Sequence, residues 1–272
     1  MTTANDRELG FIGLGKLGAP IAQNLLASGH ALAVWNRTAS KADALVEQGA
    51  RLASSPSAAI SPGGVVFTIL WDDASLDETV NADFLAALGP SGVHVSMTTV
   101  TPETAQKVAA RHAEHGSRYV EAPIFGIPAH AVARKLTVCL AGAAADKARV
   151  HPLLEAMGAE RIVDFGEQIG AGTATKLVGN FMIISGFVAL QEAFDVLVAA
   201  GIDPKPTLEL VTSTFAATPG NQRYAGYLLS GNAPPASGIP LKDVGLFEQL
   251  ARAARAHSPL AERMREILAR AE

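Results

Sequence analysis

A glycine-rich hexapeptide near the start of the chain has the spacing of a phosphate-binding turn. It reads Gly13-Leu14-Gly15-Lys16-Leu17-Gly18 and follows an apolar run that predicts a strand. In a strand–turn–helix unit, the first glycine permits a tight turn, the second lets a pyrophosphate approach the backbone, and the third lets helix and strand pack closely. N–H groups at the helix start then face the anion. We predict a dinucleotide site formed by Gly13, Leu14, Gly15, Lys16 and Leu17; the alternative is a purely structural glycine turn.

The end of the second predicted strand indicates which dinucleotide would fit. An Asp or Glu about 20 residues after the glycine motif binds the ribose hydroxyls of NAD. Here the residues are Asn36, Arg37 and Thr38, with no acid among them. An acid would repel a 2′-phosphate, whereas an arginine can pair with one through its planar guanidinium. We predict that these three residues bind the cofactor and that NADPH is preferred over NADH, although Thr38 could instead cap the following helix.

A lysine and an asparagine stand at the start of the most apolar helical segment. Lys176 and Asn180 are four residues apart and so share one helical face. Lys176 is also the last charge before the uncharged run 177–191. Partial desolvation would make this ammonium a better proton donor. From these residues alone the alternative is equally good: a lysine that extends from a buried helix to water, with Asn180 as a hydrogen-bonded core amide.

The predicted secondary structure that positions these residues changes near residue 166, from alternating strands and helices to helices alone. Before it, apolar runs that predict strands alternate with helical patterns; the strands are predicted at residues 9–13, 31–35, 65–70, 93–96, 118–122, 136–141 and 161–165. Such alternation predicts an α/β fold with one parallel sheet covered on both faces. After it, only helical patterns follow. We predict a nucleotide-binding domain over residues 1–166 and an all-α domain over residues 167–272. The latter begins with a helix over 171–200 that is buried all round.

Composition excludes several classes of partner. The 272 residues carry 22 Lys and Arg against 26 Asp and Glu, a net charge of −4 without a basic block, which argues against nucleic acid. The uncharged run 177–191 has 15 residues, fewer than the about 18 of a membrane span, so we predict no membrane association. The apolar second domain instead predicts a homodimer or homotetramer.

Location and metal binding are predicted from a few residues. Residues 1–8 lack an apolar signal core, and a single cysteine, Cys139, excludes an internal disulfide, so we predict a cytoplasmic protein. Cys139 is expected to be a small buried apolar residue. His112 and His115 fall on one predicted helix with no third ligand nearby in sequence. We interpret them as part of a solvated helix face and predict no metal site.

Four segments resemble the β-hydroxyacid dehydrogenases, the group of 3-hydroxyisobutyrate dehydrogenase, to which imine reductases are related. They occur in the family's order and spacing: residues 10–18, the run Ser96-Met97-Thr98-Thr99-Val100-Thr101-Pro102, residues 170–180, and Leu241-Lys242-Asp243. The resemblance implies a Rossmann-type, doubly wound parallel sheet followed by an all-α C-terminal domain, with the long helix connecting them.

The same resemblance implies roles for individual residues. Lys176 would be the catalytic acid/base, and Asn180 would hydrogen-bond the substrate. Leu70 and Thr99 would line the nicotinamide side of the cofactor, with Thr99 also facing the substrate. Lys242 would reach the cofactor, and Asp243 would stand beside it at the substrate; the alternative for this pair is an ordinary charged helix start.

One loop departs from the family pattern. Where the family usually reads Asp-Ala-Pro-Val-Ser-Gly-Gly, this chain reads Glu121-Ala122-Pro123-Ile124-Phe125-Gly126-Ile127-Pro128. Phe125 replaces a serine hydroxyl, and the proline at 128 removes a backbone donor. We expect Phe125 and Gly126 to contact a substrate that is less polar than a small hydroxyacid, or a semialdehyde whose acid group binds elsewhere. Phe125 could equally belong to the core.

These features together predict an NADP-dependent oxidoreductase. It would interconvert an aldehyde, semialdehyde or ketone and the corresponding alcohol by hydride transfer, with Lys176 donating the proton in reduction. An imine reductase is one alternative, although imine reductases commonly lack the lysine that this chain keeps. A catalytically silent NADP-binding module is the other.

Overall fold

The structure, a computed structural model, describes residues 8–231 and 238–270. Residues 1–7, on which much of the predicted location rests, lie outside the described residues. The chain divides into two compact units, Met1–Lys176 and Leu177–Glu272. The division therefore falls inside the long helix rather than at residue 166, because the first residues of that helix are hydrogen-bonded to the first unit.

The first unit is built on a six-stranded parallel sheet. Its strand order is β3-β2-β1-β4-β5-β6, and the strands are β1 Leu9–Ile12, β2 Leu32–Trp35, β3 Arg51–Leu52, β4 Val65–Thr68, β5 Val93–Ser96 and β6 Arg118–Glu121. The helices of this unit are α1 Gly18–Ala27, α2 Asp43–Val46, α3 Asp73–Thr79, α4 Ala82–Leu88, α5 Pro102–Glu114, α6 Pro128–Val132 and α7 Ala144–Ala156. The predicted Rossmann-type fold is confirmed.

Both faces of this sheet are buried, as parallel sheets require. Phe11 and Phe67 belong to the core on one face, with ring centroids 6.1 Å apart. Their sequence neighbours Ile12 and Val66 belong to the core on the other face. The alternation of side chains along each strand explains why these strands read as continuous apolar runs.

A second, smaller sheet was not predicted. It has the order β7-β8-β9, formed by Ile124–Phe125, Leu136–Leu140 and Ala159–Asp164, and β7 is antiparallel to β8. The prediction that all strands join one parallel sheet is therefore wrong for this part. Residues 126–135 supply only a ten-residue connection, shorter than the dozen or more residues that a parallel crossover needs. Cys139, in β8, is buried as predicted.

The second unit is helical throughout its described residues. It contains most of α8 Ala171–Ala199, and α9 Pro204–Ser213, α10 Pro219–Leu229, α11 Ile239–Ala253 and α12 Pro259–Arg270. Two apolar clusters hold these helices together. One joins Ile184 to Val244 and Met264, and the other joins Leu190 to Leu208.

Helix α8 is far less buried than its sequence suggested. It is long and apolar enough to cross a membrane by length and composition alone, yet only 11% of its most apolar 18-residue stretch is buried in the chain. Met182 is 68% exposed and Val196 is 67% exposed. The prediction of a helix buried all round is therefore wrong for the single chain, because α9 to α12 cover only part of its apolar surface.

His112 is another residue whose environment differs from the prediction. His115 is exposed as expected, but His112 is fully buried, so the prediction of a solvated face is wrong for it. It belongs to a buried chain of polar side chains. Thr68 Oγ1 lies 2.8 Å from His94 Nε2, His94 Nδ1 lies 2.9 Å from His112 Nε2, and His112 Nδ1 lies 2.8 Å from Ser117 Oγ.

The proton positions along this chain follow from its last member. The Ser117 hydroxyl donates to the His112 carbonyl oxygen at 3.2 Å, so Ser117 Oγ accepts from His112 Nδ1–H. His112 Nε2 then accepts from His94 Nδ1–H, and His94 Nε2 accepts from the Thr68 hydroxyl. Both rings are thus neutral, and each of their nitrogens has a hydrogen-bond partner. Burial and the nearby Arg111 cation lower the pKa of His112 to about 3, and burial also lowers the pKa of His94 well below its usual value.

Acidification should therefore destabilise the first unit. Below pH 6.5 the unfolded chain binds protons on both histidines and the folded chain does not, so the free energy of unfolding falls as the pH falls. The expected loss between pH 7 and pH 5 is up to about 2 kcal/mol per histidine. Urea unfolding at the two pH values measures it.

The control is the double variant His94→Leu/His112→Leu, which should lose this pH dependence. Each single variant leaves a buried ring nitrogen unpaired and should cost about 1–3 kcal/mol at pH 7. An unchanged pH dependence in the double variant would show that these two rings are not the acid-sensitive groups.

Candidate functional site

Four neighbouring strands end at one edge of the large sheet, and the predicted cofactor residues follow them. The strands β2, β1, β4 and β5 are adjacent and parallel. The loops after them contain the glycine motif, the 36–38 turn, Leu70 and Thr99. In open parallel sheets, ligands bind at this carboxyl edge. The structure therefore brings the predicted cofactor residues of the first unit to a common edge.

The three glycines of the motif have different surroundings. Gly13 has a φ of +103°, and a Cβ there would overlap the Ile69 carbonyl. A Cβ at Gly18 would overlap the Gly13 carbonyl. Around Gly15, by contrast, no atom lies within 4 Å of an added Cβ. The fold itself needs Gly13 and Gly18, whereas Gly15 leaves open space for a ligand to approach the backbone.

The helix after this turn lacks an internal partner for its positive end. Leu17 is the N-cap of α1 and makes no side-chain cap hydrogen bond, and the first turn of α1 contains no acidic residue. The first N–H groups of a helix have no acceptor within the helix. Lys16 beside them is exposed and adds a positive charge. An anion such as a pyrophosphate fits this helix start.

Asn36 ties the glycine turn to the turn after β2. Its Oδ1 accepts from Leu14 N at 2.9 Å, and its Nδ2 donates to the Thr38 carbonyl oxygen at 2.9 Å. Leu14 is also buried, so both residues serve the scaffold of the cradle in this structure. Arg37 and Thr38 are exposed, and the Thr38 side chain makes no helix-capping hydrogen bond. Both side chains are therefore open to solvent at the turn that follows β2.

The loops after β4 and β5 are held together by a residue that the sequence did not single out. Thr98 Oγ1 accepts from Leu70 N at 2.9 Å, and Met97 N donates to the Thr68 carbonyl oxygen at 2.8 Å. Leu70 and Thr99 are each half-buried beside this junction. A threonine next to another threonine in a loop gives no sequence signal for such a role.

Lys176 is buried against an aromatic ring. Its side chain lies in α8, the residue is only 7% exposed, and Nζ lies 4.2 Å from the centroid of the Phe125 ring. An ammonium over the face of a ring at this distance is attracted by the ring quadrupole. The sequence left open whether Phe125 contacts substrate or core; the structure places its half-buried ring against Lys176, with Gly126 next to it.

A second functional candidate, Glu121, was not identified as such from the sequence. This residue ends β6, is 1% exposed, and accepts hydrogen bonds from the backbone N–H groups of Gly170, Gly172 and Thr173 at the start of α8. Burial raises its pKa to about 7, although the three N–H donors lower it. The available signal was an acidic residue that directly follows the apolar pair Tyr119 and Val120 in a predicted strand.

The remaining predicted residues form a cluster in the second unit. Asn180 Nδ2 donates to Asp243 Oδ2 at 2.5 Å, and Lys242 Nζ lies 2.7 Å from Asp243 Oδ1. Asp243 is 2% exposed. The rings of Phe181, the residue after Asn180, and Phe247, four residues after Asp243, stack with centroids 4.1 Å apart and bring α8 and α11 together. Because a carboxylate only accepts, it fixes which end of the Asn180 amide points toward it.

Two family models together match almost the whole chain. The model described as the NAD binding domain of 6-phosphogluconate dehydrogenase matches residues 8–170. The model described as the NAD-binding domain of NADP-dependent 3-hydroxyisobutyrate dehydrogenase matches residues 170–272. The two models meet at the start of α8.

Individual proteins are similar over the same length. The uncharacterised oxidoreductase YfjR of Bacillus subtilis is 35% identical over 260 residues, 94% of this chain and 90% of that protein. The structure of 3-hydroxyisobutyrate dehydrogenase from Mycobacterium tuberculosis with L-serine has a TM-score of 0.83 at 26% identity and covers 97% of this chain and 92% of its own. A reductive aminase from Aspergillus terreus with NADPH and ethyl levulinate has a TM-score of 0.68 at 26% identity, with coverages of 97% and 93%.

Alanine at Gly15 should separate ligand binding from folding. Because open space surrounds its added Cβ, Gly15→Ala should melt within about 1 °C of the parent while its affinity for a nicotinamide dinucleotide falls at least tenfold. Differential scanning fluorimetry and fluorescence titration measure the two quantities. Gly18→Ala, whose Cβ overlaps backbone, is the matched control that should lose stability. Undiminished dinucleotide affinity in Gly15→Ala would mean that the turn is purely structural.

Proposed function

This chain belongs to the β-hydroxyacid dehydrogenase family of NAD(P)-dependent oxidoreductases, and from that premise we propose that it reduces a small carbonyl compound with NADPH. It is an enzyme of the dehydrogenase type, acting on hydroxyl groups in the oxidative direction. The observation that carries the finer proposal is the buried ammonium of Lys176 in a chain that also keeps an open phosphate cradle at Gly15.

Lys176 has the properties of the proton donor. A bound nicotinamide supplies the hydride to the carbonyl carbon. As that bond forms, negative charge develops on the carbonyl oxygen, where a positioned ammonium stabilises it and then transfers its proton. In the direction of oxidation, neutral Lys176 takes the proton from the alcohol. Asn180 is proposed to hydrogen-bond the substrate, held in orientation by Asp243 and Lys242.

The loop at Phe125 favours a weakly polar substrate. The family's serine and second glycine would offer a hydroxyl and a backbone N–H to a carboxylate. Phe125 offers a ring face that already contacts Lys176, and Pro128 has no N–H to donate. We propose an aldehyde or ketone, or a semialdehyde whose acid group binds elsewhere in the site.

Imine reduction is the second candidate. It is supported by the likeness to a reductive aminase over nearly the full chain. Lys176 favours carbonyl chemistry, because a carbonyl oxygen needs a proton from the protein, whereas an iminium ion arrives with its positive charge already in place. A cofactor-binding module without catalysis is the third outcome that an assay can reveal.

Arg37 carries the proposed preference for NADPH. Its exposed guanidinium follows β2, beside the Asn36 anchor of the glycine turn. A guanidinium there can pair with a 2′-phosphate through two parallel hydrogen bonds. The exposed Thr38 hydroxyl can add a third.

Self-association is proposed for the apolar surface of α8. A helix that leaves several large apolar side chains exposed can form an interaction surface. A second copy of the chain would bury the side chains that α9 to α12 leave open: Val178, Met182, Ile183, Val196 and Val198. The expected assembly is a homodimer or homotetramer. Cytoplasmic location stays a prediction.

Removal of the Lys176 amine should abolish turnover and leave cofactor binding intact. Lys176→Ala is expected to lower kcat by about 100-fold to 10,000-fold, the usual worth of a positioned general acid, with NADPH affinity within threefold of the parent. NADPH oxidation against aldehydes, ketones and cyclic imines measures the first, and fluorescence titration the second. Lys205→Ala, an exposed lysine of α9, is the control. Parent-like turnover in Lys176→Ala would remove this residue from the mechanism.

Arg37→Ala should change which cofactor binds. The variant is expected to lose at least tenfold in NADPH affinity and less than threefold in NADH affinity, because only NADPH has the 2′-phosphate. Arg161→Ala, an exposed arginine of β9, controls for loss of charge. An equal loss for both cofactors would contradict the assignment.

A further inference from the structure

The backbone of Glu121 is fixed at the junction of the two sheets. Its backbone N–H donates to the Ala141 carbonyl at 2.9 Å and its carbonyl accepts from Ala141 N at 3.0 Å, a bridge that joins the large sheet to the small one. Four residues later the same segment presents the Phe125 ring. Both ends of this short segment therefore contact the first turns of α8, the carboxylate at the backbone and the ring at Lys176.

The start of α8 is shaped to receive this carboxylate. Glu121 Oε2 accepts from Gly172 N at 3.0 Å and from Thr173 N at 3.2 Å, while Oε1 accepts from Gly170 N. Gly170 has a φ of +105°, and a Cβ at Gly172 would come within 2.9 Å of the Cys139 carbonyl oxygen. The two glycines let the helix start approach Glu121 and β8 closely. Side chains at either position would push the helix outward.

We propose that Glu121 is a positioning residue for Lys176: by binding the backbone of the first turn of α8, it fixes where the lysine amine stands for proton transfer. The inference rests on the proposed function of Lys176. Lys176 lies three residues beyond Thr173, less than one helical turn. A shift of the first turn therefore moves its Nζ almost as a rigid body, and misplacement of about 1 Å can cost about 100-fold in rate.

The protonation state of Glu121 determines how well its carboxyl group binds the N–H groups at the start of α8. Ionised, both oxygens accept from N–H groups; protonated, one oxygen carries a hydrogen that would meet an N–H donor. The titratable groups that interact with its charge are Tyr119 on β6 and Cys139 on β8, and Cys139 in turn interacts with the charge of Lys176 on α8. With a pKa of about 7, Glu121 is mostly protonated at pH 6 and mostly ionised at pH 8.

Glu121→Gln tests the proposal, because glutamine resembles the protonated acid. We expect kcat at pH 8 to fall 10-fold to 100-fold with KM for NADPH within threefold, since the glycine turn after β1 lies three strands away from β6. The parent should show kcat rising by up to about tenfold from pH 6 to pH 8, the ratio of the ionised fractions for a pKa of about 7, and Glu121→Gln should show no such rise.

Two further variants keep the outcome decisive. Glu121→Asp retains a carboxylate, so it should recover at least a third of the parent kcat together with the rise from pH 6 to pH 8. Glu160→Gln, at an exposed position of β9, should match the parent. A folded Glu121→Gln with parent-like kcat and pH profile overturns the proposal. If Glu121→Gln does not fold, a Glu121→Asp protein that folds but has lost the pH-dependent rise overturns it equally.

Amide hydrogen exchange separates this inference from the proposed function. In the ligand-free protein, peptides that cover residues 169–177 should exchange at least tenfold faster in Glu121→Gln than in the parent, with peptides of α5 unchanged. If the parent reduces none of the tested carbonyls or imines, the proposed function fails, yet faster exchange at 169–177 would still support the positioning contact. Equal exchange in both proteins would overturn it regardless of activity.

Discussion

Backbone N–H groups at two helix starts are the constraint on which the first unit depends. Helix α1 begins without an acid or a side-chain cap, and helix α8 begins around the buried carboxylate of Glu121. In both helices the positive end favours a nearby anion. At α1 the anion is left to a ligand, and at α8 the chain supplies it. Open space at Gly15 suits the first case, and close packing at Gly172 suits the second.

The sequence was informative where structure is decided locally. The glycine turn, the strands 65–68 and 93–96, and the helix that begins at Pro102 follow from spacing, apolar runs and capping residues within a few positions of one another. It was uninformative where distant segments decide. The antiparallel pairing of β7 with β8 and the burial of His112 against His94 depend on residues elsewhere in the sequence. A pattern within a short stretch of sequence cannot predict such contacts.

The candidate site shows the same division. The resemblance to a family pointed to Lys176 and Asn180, and both lie in α8, one turn apart in sequence. It did not show that Asn36 binds Leu14, that Thr98 binds Leu70, or that Glu121 binds the start of α8. These three side chains hold other residues in place rather than touching a substrate. Such supporting residues stand at no fixed distance in sequence from the residues that they hold in place, so only the structure identifies them.

Charge balance explains why a carboxylate, Glu121, and an aromatic ring, Phe125, lie at the start of the helix that carries Lys176. A cation near the positive end of a helix is disfavoured by the helix dipole, and burial disfavours it further. Glu121 offsets the first effect with a buried negative charge at the helix start, and the Phe125 ring face offsets part of the second. A ring face attracts a cation through its quadrupole and does not take a proton from it, so the contact with Phe125 stabilises the protonated form of this buried amine.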